Sequence, residues 1–151
     1  MSLDTAGILS ALQSHAQTLG VFDRVNGHES ANAPGNGLTC DFFWVGAVPF
    51  SGGSGLASTT VVVTFMARIY LSTTQLSDDI DPQVLHATDE LCRAYSADFE
   101  LGGEVRNMDL LGQSGAQLGA QAGWLQVDAT KYRTVDVTIP LVVNDLWDQA
   151  P

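Results

Sequence analysis

The sequence predicts an α+β domain built on one mostly antiparallel, twisted sheet of about four to five strands, with two helices packed on one face. Three observations predict it. Apolar residues recur at three- and four-residue steps in two separate segments, as a half-buried helix requires. Strict alternation runs through two long segments, 57–73 and 131–143, as a strand with one buried face requires. Short connections rich in Gly, Ser, Asn and Asp join successive strands, which favours antiparallel neighbours. A chain of 151 residues fits one domain, 1–151, with a core sufficient without metal or disulfide staples.

In the first segment, 4–20, Ile8, Leu12, Ala16 and Leu19 share a face with Leu9. Ser2 or Asp4 is the candidate N-cap and Gly20 the stop. His15 sits among polar neighbours on this helix and reads as solvated. The connection Asn26–Gly37, NGHESANAPGNG, combines a His–Glu neighbour pair with a proline and glycines, and reads as a sharply turning link. Residues 38–48, LTCDFFWVGAV, form an apolar strand closed by Pro49, with Trp44 as core, and FSGGSG follows as a hairpin loop. In ASTTVVVTFMARIYLST the odd positions, from Val61 to Leu71, are all apolar, while Thr60, Thr64, Arg68 and Tyr70 give the other face a mixed character.

Asp81 and Pro82 read as the cap and first residue of a second helix. Its stripe is Val84, Leu85, Thr88, Leu91, Cys92 and Tyr95, with His86 and Asp89 as a solvated pair off the stripe. Residues 98–111 read as a strand broken at Gly102 and Gly103, and 112–123 as a small-residue loop. A short strand at 123–128, a turn at Asp128–Thr130 and a last strand at Lys131–Val143 complete the order. Pro140 places that end of the last strand at an edge or unpaired on its N–H side, and the tail carries Leu146 and Trp147.

Composition narrows the function. Six basic and seventeen acidic residues give a net charge of −11, and the dispersed cations form no basic patch of the kind a nucleic-acid backbone requires. Apolar runs fall short of the ~20 residues of a membrane span, and the N-terminus reads as helix rather than a secretory signal. Cys40 and Cys92 read as free, core-forming thiols. His15, His28 and His86 show no metal-ligand spacing. Neither a nucleophile elbow nor a lysine-bearing phosphate loop is present, and APGNGL leads into a strand rather than a helix. No catalytic, cofactor-binding or metal residues are therefore assigned. Three small-residue loops (26–37, 50–57, 112–123), sheet edges and an apolar tail point instead to a protein that assembles with neighbours.

The segments VNGHESANAPGNGLTCDFFW, SGLASTTVVVTFMARIYL, YSADFELGGEVRNMDLLG and VTIPLVVNDLWDQ, in this order and spacing, resemble the tail terminator proteins of long-tailed bacteriophages, especially those infecting actinobacteria. The likeness spans nearly the whole chain and rests on the combination of segments rather than on one motif. It implies a non-catalytic virion protein of the tail and neck, assembled in the host cytoplasm, without cofactors. Its partners would be further copies of itself in a homohexameric ring, the major tail tube protein, and a head–tail connector or stopper. The genome would pass through the lumen without specific binding, past a wall made repulsive by the acidic charge. On this resemblance, Phe50, Ser51, Gly52, Gly53 and Ser54, with Gln113, Ser114, Gln117, Leu118 and Trp147, are the expected contacts to tube or adjacent subunits. The alternatives are another neck protein (head-completion, stopper or connector) and a small-ligand-binding α+β domain, which would need a concave apolar pocket.

Overall fold

The computed structural model describes residues 2–31, 34–73 and 77–150. Helix α1 spans Thr5–Leu19. The Asp4 carboxylate accepts from the Gly7 N–H at 3.0 Å, and Gly20, at φ 70°, takes the left-handed conformation that ends the helix. Ile8, Leu12 and Ala16 are fully buried, as their spacing predicts. Helix α2 spans Ser77–Ala97 and starts earlier than expected. Asp78 and Asp79 occupy its first turn, where the helix dipole favours them, and Pro82 lies inside the helix rather than at its first position. The buried stripe is Ile80, Val84, Ala87, Leu91 and Tyr95, with Thr88 beside it. Leu85 is not part of it: this residue lies about 100° round the helix from Val84 and is 69% exposed. Cys92, seven residues after Leu85, lies at the same rim and is half-buried.

The sheet has six strands among the described residues and is mixed rather than purely antiparallel. They are β1 Arg24–Asn26, β2 Leu38–Pro49, β3 Ser58–Ser72, β4 Asn107–Met108, β5 Gly119–Val127 and β6 Thr130–Asp148. The order is β1-β2-β3-β6, and β4 and β5 both pair with the remaining edge of β6. The added strand is the short β1, which runs parallel to β2 in the register Arg24↔Thr39. Around β4 the expected broken strand at 98–111 is mostly turn and a 3₁₀ segment at Leu101–Gly103, because Leu101, Gly102 and Gly103 all take positive φ. Strand β5 begins at Gly119, inside the expected loop, and its hairpin with β6 turns through Asp128 and Ala129, both at positive φ, the geometry of a two-residue primed turn.

The odd residues of β3 from Val61 to Leu71 pack with Cys40, Phe42, Val135, Val137, Ile139 and Leu141 in one apolar cluster under both helices. Pro140 is buried within β6, opposite Thr64 of β3. Its carbonyl accepts from Asp109 N–H at 2.9 Å, and on the same side the missing N–H meets the break between β4, which pairs at Val142 and Leu141, and β5, which stops at Thr138. The strand is thus internal, yet interrupted where the proline needs it.

Candidate functional site

On the face of the sheet opposite the helices, Asp41, Arg68 and Asp136 form one cross-strand row. Asp41 has no exposed surface. Its carboxylate accepts from Asn26 Nδ2 at 2.8 Å and from Ser30 N at 3.0 Å and Oγ at 2.5 Å. Arg68 donates through Nε to Asp136 at 2.7 Å and through Nη1 to Glu29 at 3.2 Å, and its guanidinium lies over Phe43. The bond to Asp136 outweighs partial burial and raises the Arg68 pKa further. Burial pushes the Tyr70 hydroxyl up to about 12, and Tyr70 meets Tyr132 edge to face. The Tyr132 hydroxyl accepts from Gly35 N at 3.2 Å.

These contacts show what the 26–37 segment does. It lies as a strap on the free face of the sheet, anchored at Glu29, Ser30 and Gly35; Asn32 and Ala33 lie outside the described residues. Gly37, at φ 89°, turns the strap into β2 where a Cβ would meet Asp23 Oδ2 at 2.5 Å, the oxygen that accepts from Leu38 N. His28 is exposed, and among the described residues its ring bonds its neighbour's carbonyl, Glu29 O, at 3.1 Å.

The expected contact residues fall in two places. Phe50–Ser54 and Trp147 share an arm, made of the ends of β2, β3 and β6, that carries several exposed apolar side chains: Val45, Val48, Leu56 and Trp147. Ser51 and Gly52 are exposed, while Phe50, Gly53 and Ser54 are half-buried. The Ser54 hydroxyl donates to Phe50 O at 2.7 Å and Thr60 Oγ1 to Gly53 O at 2.8 Å, so the turn is fastened to the arm. Trp44, expected in the core, is 61% exposed on this arm although its partner Phe65 is buried: from Phe42 onward β2 is paired with β3 on one side and no longer with β1 on the other.

Gln113, Ser114, Gln117 and Leu118 belong to the second place, a turn organised by one carboxylate. Asp109, only 4% exposed, accepts from the N–H groups of Gly112, Gln113 and Ser114 at 2.9, 3.1 and 2.7 Å and from the Ser114 hydroxyl. Burial opposes its ionisation, but these donors prevail and hold the carboxyl below the usual range. Gln113 and Gln117 are exposed, Ser114 is partly buried, and Leu118 packs against the core. The segment is therefore a shaped turn rather than the loose loop its composition suggests.

A third surface escaped the sequence reading. Between α2 and β5 lies an apolar groove of about 530 Å³ lined by Val84, Leu85, Thr88, Ala120, Ala122 and Val135. At its end Lys131 and Arg133 both stack on Trp124 at 4.6 Å from the ring centroid, and Arg133 also pairs with Asp81 at 2.9 Å. The alternation of Trp124 with two cations across a hairpin was the available signal.

Two expectations about charged side chains are corrected. His15 is not simply solvated: its Nε2 lies 2.8 Å from Asp98 and its ring meets Tyr95 edge to face, which ties α1 to the end of α2. Bonding to Gly102 N–H and then to His15 lowers the Asp98 pKa. Asp89 pairs with Arg93 at 3.0 Å rather than with His86. Cys40 and Cys92 are free, and burial pushes both thiols up. Among the described residues no three His, Cys, Asp or Glu converge as a metal set, and no helix is long and apolar enough to cross a membrane. No protein-family model matches the chain, and no curated protein matches it.

Proposed function

We propose that this chain is a structural protein of the phage tail and neck, a tail terminator that closes the tail tube as a ring and presents a joining surface to the head side. One observation carries the reading. The arm of β2, β3 and β6 exposes Trp44, Val45, Val48, Leu56 and Trp147 together, a concentration of apolar surface that suits contact with another protein. The acidic balance of −11 fits a lumen that repels the passing genome. Light scattering coupled to size exclusion, on the protein alone and then with polymerised tail tube of the same phage, tests it. About six copies at a tube end are expected. Capture by the portal complex without tube binding would instead make it another neck protein.

The α2–β5 groove favours one second reading, a small-ligand-binding domain. A thermal-shift screen of apolar metabolites decides that case, since a ligand filling the groove raises the melting temperature and the ring reading predicts no such shift.

A further inference from the structure

We infer that a second copy of this chain adds the lower half of its β2, Phe43–Pro49, to the free edge of β5, so that the sheet continues head to tail from one subunit to the next. The inference rests on the ring reading above and names its interface.

Among the described residues, β5 pairs only with β6. Strand β2 pairs with β1 only at Thr39, Cys40 and Asp41, so from Phe42 onward it has β3 on one side alone. Each stretch presents a row of backbone donors and acceptors, and the generic partner of such a row is another strand edge. The two rows lie on opposite sides of one sheet, the arrangement that yields repeating heterologous contacts rather than a closed pair.

Charge points the same way. Solitary edges are kept solitary by Lys and other charges, yet no Asp, Glu, Lys or Arg occurs from Phe42 to Ala67 or from Leu110 to Val127. Copies that each carry −11 repel everywhere except across such neutral surfaces.

Side-chain direction completes the match. Trp44 stands opposite Phe65, on the helix-bearing face. Ala120 and Ala122 stand opposite Val137 and Val135, on that same face. Strands β2, β3, β6 and β5 are successively antiparallel, so an incoming β2 that continues the sheet meets β5 antiparallel with its helix-bearing face unchanged. Trp44, 61% exposed, then lies towards the groove bordered by Val84, Leu85, Ala120 and Ala122. A bulky residue on one edge faces small residues on the other. The bulge between Trp44 and Gly46 and the missing N–H of Pro49 limit the length of the added ladder.

The test uses the full chain with tail tubes of the same phage. Trp44→Lys and Ala122→Glu are each expected to abolish ring formation at tube ends, and the double variant to restore it. A Trp44→Cys, Ala122→Cys chain should give a ladder of disulfide-linked multimers on mild oxidation, which neither single variant gives. Trp44 and Ala122 are both exposed, so unchanged circular dichroism and melting temperature verify that each variant folds. Rings that form at tube ends with Trp44→Lys, and without the crosslinked ladder, would overturn this interface while leaving the ring reading intact. A wild-type chain that does not bind tube ends, together with no crosslinked ladder from the double-cysteine chain, would overturn both.

Discussion

The two halves of β2 belong to one strand and differ in almost every respect. From Leu38 to Phe42 every residue is buried, on both faces: Cys40 and Phe42 join the helix residues in the core cluster, and Asn26 and Ser30 bond Asp41 on the other face. From Trp44 to Pro49 the exposed residues are Trp44, Val45, Val48 and Pro49. The upper half includes Asp41 and its polar partners, whereas the lower half has no charge at all. Strand propensity is similar in both; the upper half lies between β1 and β3, whereas the lower half pairs with β3 alone. Where β2 becomes the outer strand, an apolar segment becomes exposed surface, Trp44 included.

Four perturbations bear on this contrast, in falling order of effect on the isolated subunit. Phe42→Ala should cost about 3–5 kcal/mol in chemical denaturation, since the ring is fully buried and the packed interior relaxes only in part. Asp109→Ala should cost about 3 kcal/mol by leaving several turn donors unpaired. Because the folded Asp109 pKa lies below its unfolded value, its contribution is present above about pH 4 and lost as the pH falls through the lower folded value. Acid titration of wild type against Asp109→Asn, followed by melting temperature, reads that difference, and an unchanged acid limb would refute it. Arg68→Ala should cost about 1–2 kcal/mol, a value reduced for its partial exposure. It should also loosen the strap, seen as faster amide exchange at Ser30 and Gly35. Trp44→Ala should change subunit stability by less than about 1 kcal/mol. A loss comparable to that of Phe42→Ala would mean the two halves are energetically alike. Thiol labelling offers an independent check, because Cys40, buried in the upper half, should react only on unfolding.

Much of the fold was legible in the sequence for physical reasons. Strands β3 and β6 are long and their alternation is strict, and the α1 stripe is bracketed by Asp4 and Gly20. The features that escaped are those without a period. Strand β1 spans three residues, too few to alternate visibly, and of the strand expected at 98–111 only the two residues of β4 are strand. In the sequence, strand β5 reads as a strand only from residue 123 on; its first half, Gly119–Ala122, is built from Gly, Ala and Gln, without the β-branched content that marks a strand, and so that half reads as a loop. The His15–Asp98 bond joins residues far apart in the chain, which no local spacing reveals. Trp44 read as core because its neighbours are apolar, but burial also depends on the position of a strand within the sheet, and here β2 pairs with β3 alone. Of the proposed contact surface, Phe50–Ser54 and Trp147 were named from the sequence and lie on the arm. Val45, Val48 and Leu56 were missed, although the absence of charge from Phe42 to Ala67 was a readable sign.

The turn around Asp109 has a consequence for the energetics of assembly. A loop of Gly, Ser, Ala and Gln would ordinarily lose much conformational freedom on meeting a partner, and that loss would subtract from the affinity. Here a single carboxylate fixes several successive backbone amides while the chain folds. On the proposed ring reading, the ordering would be complete before any neighbour arrives, and Gln113 and Gln117, as proposed contacts, would be presented on a preformed turn whose association need not be slowed by a search for the right shape.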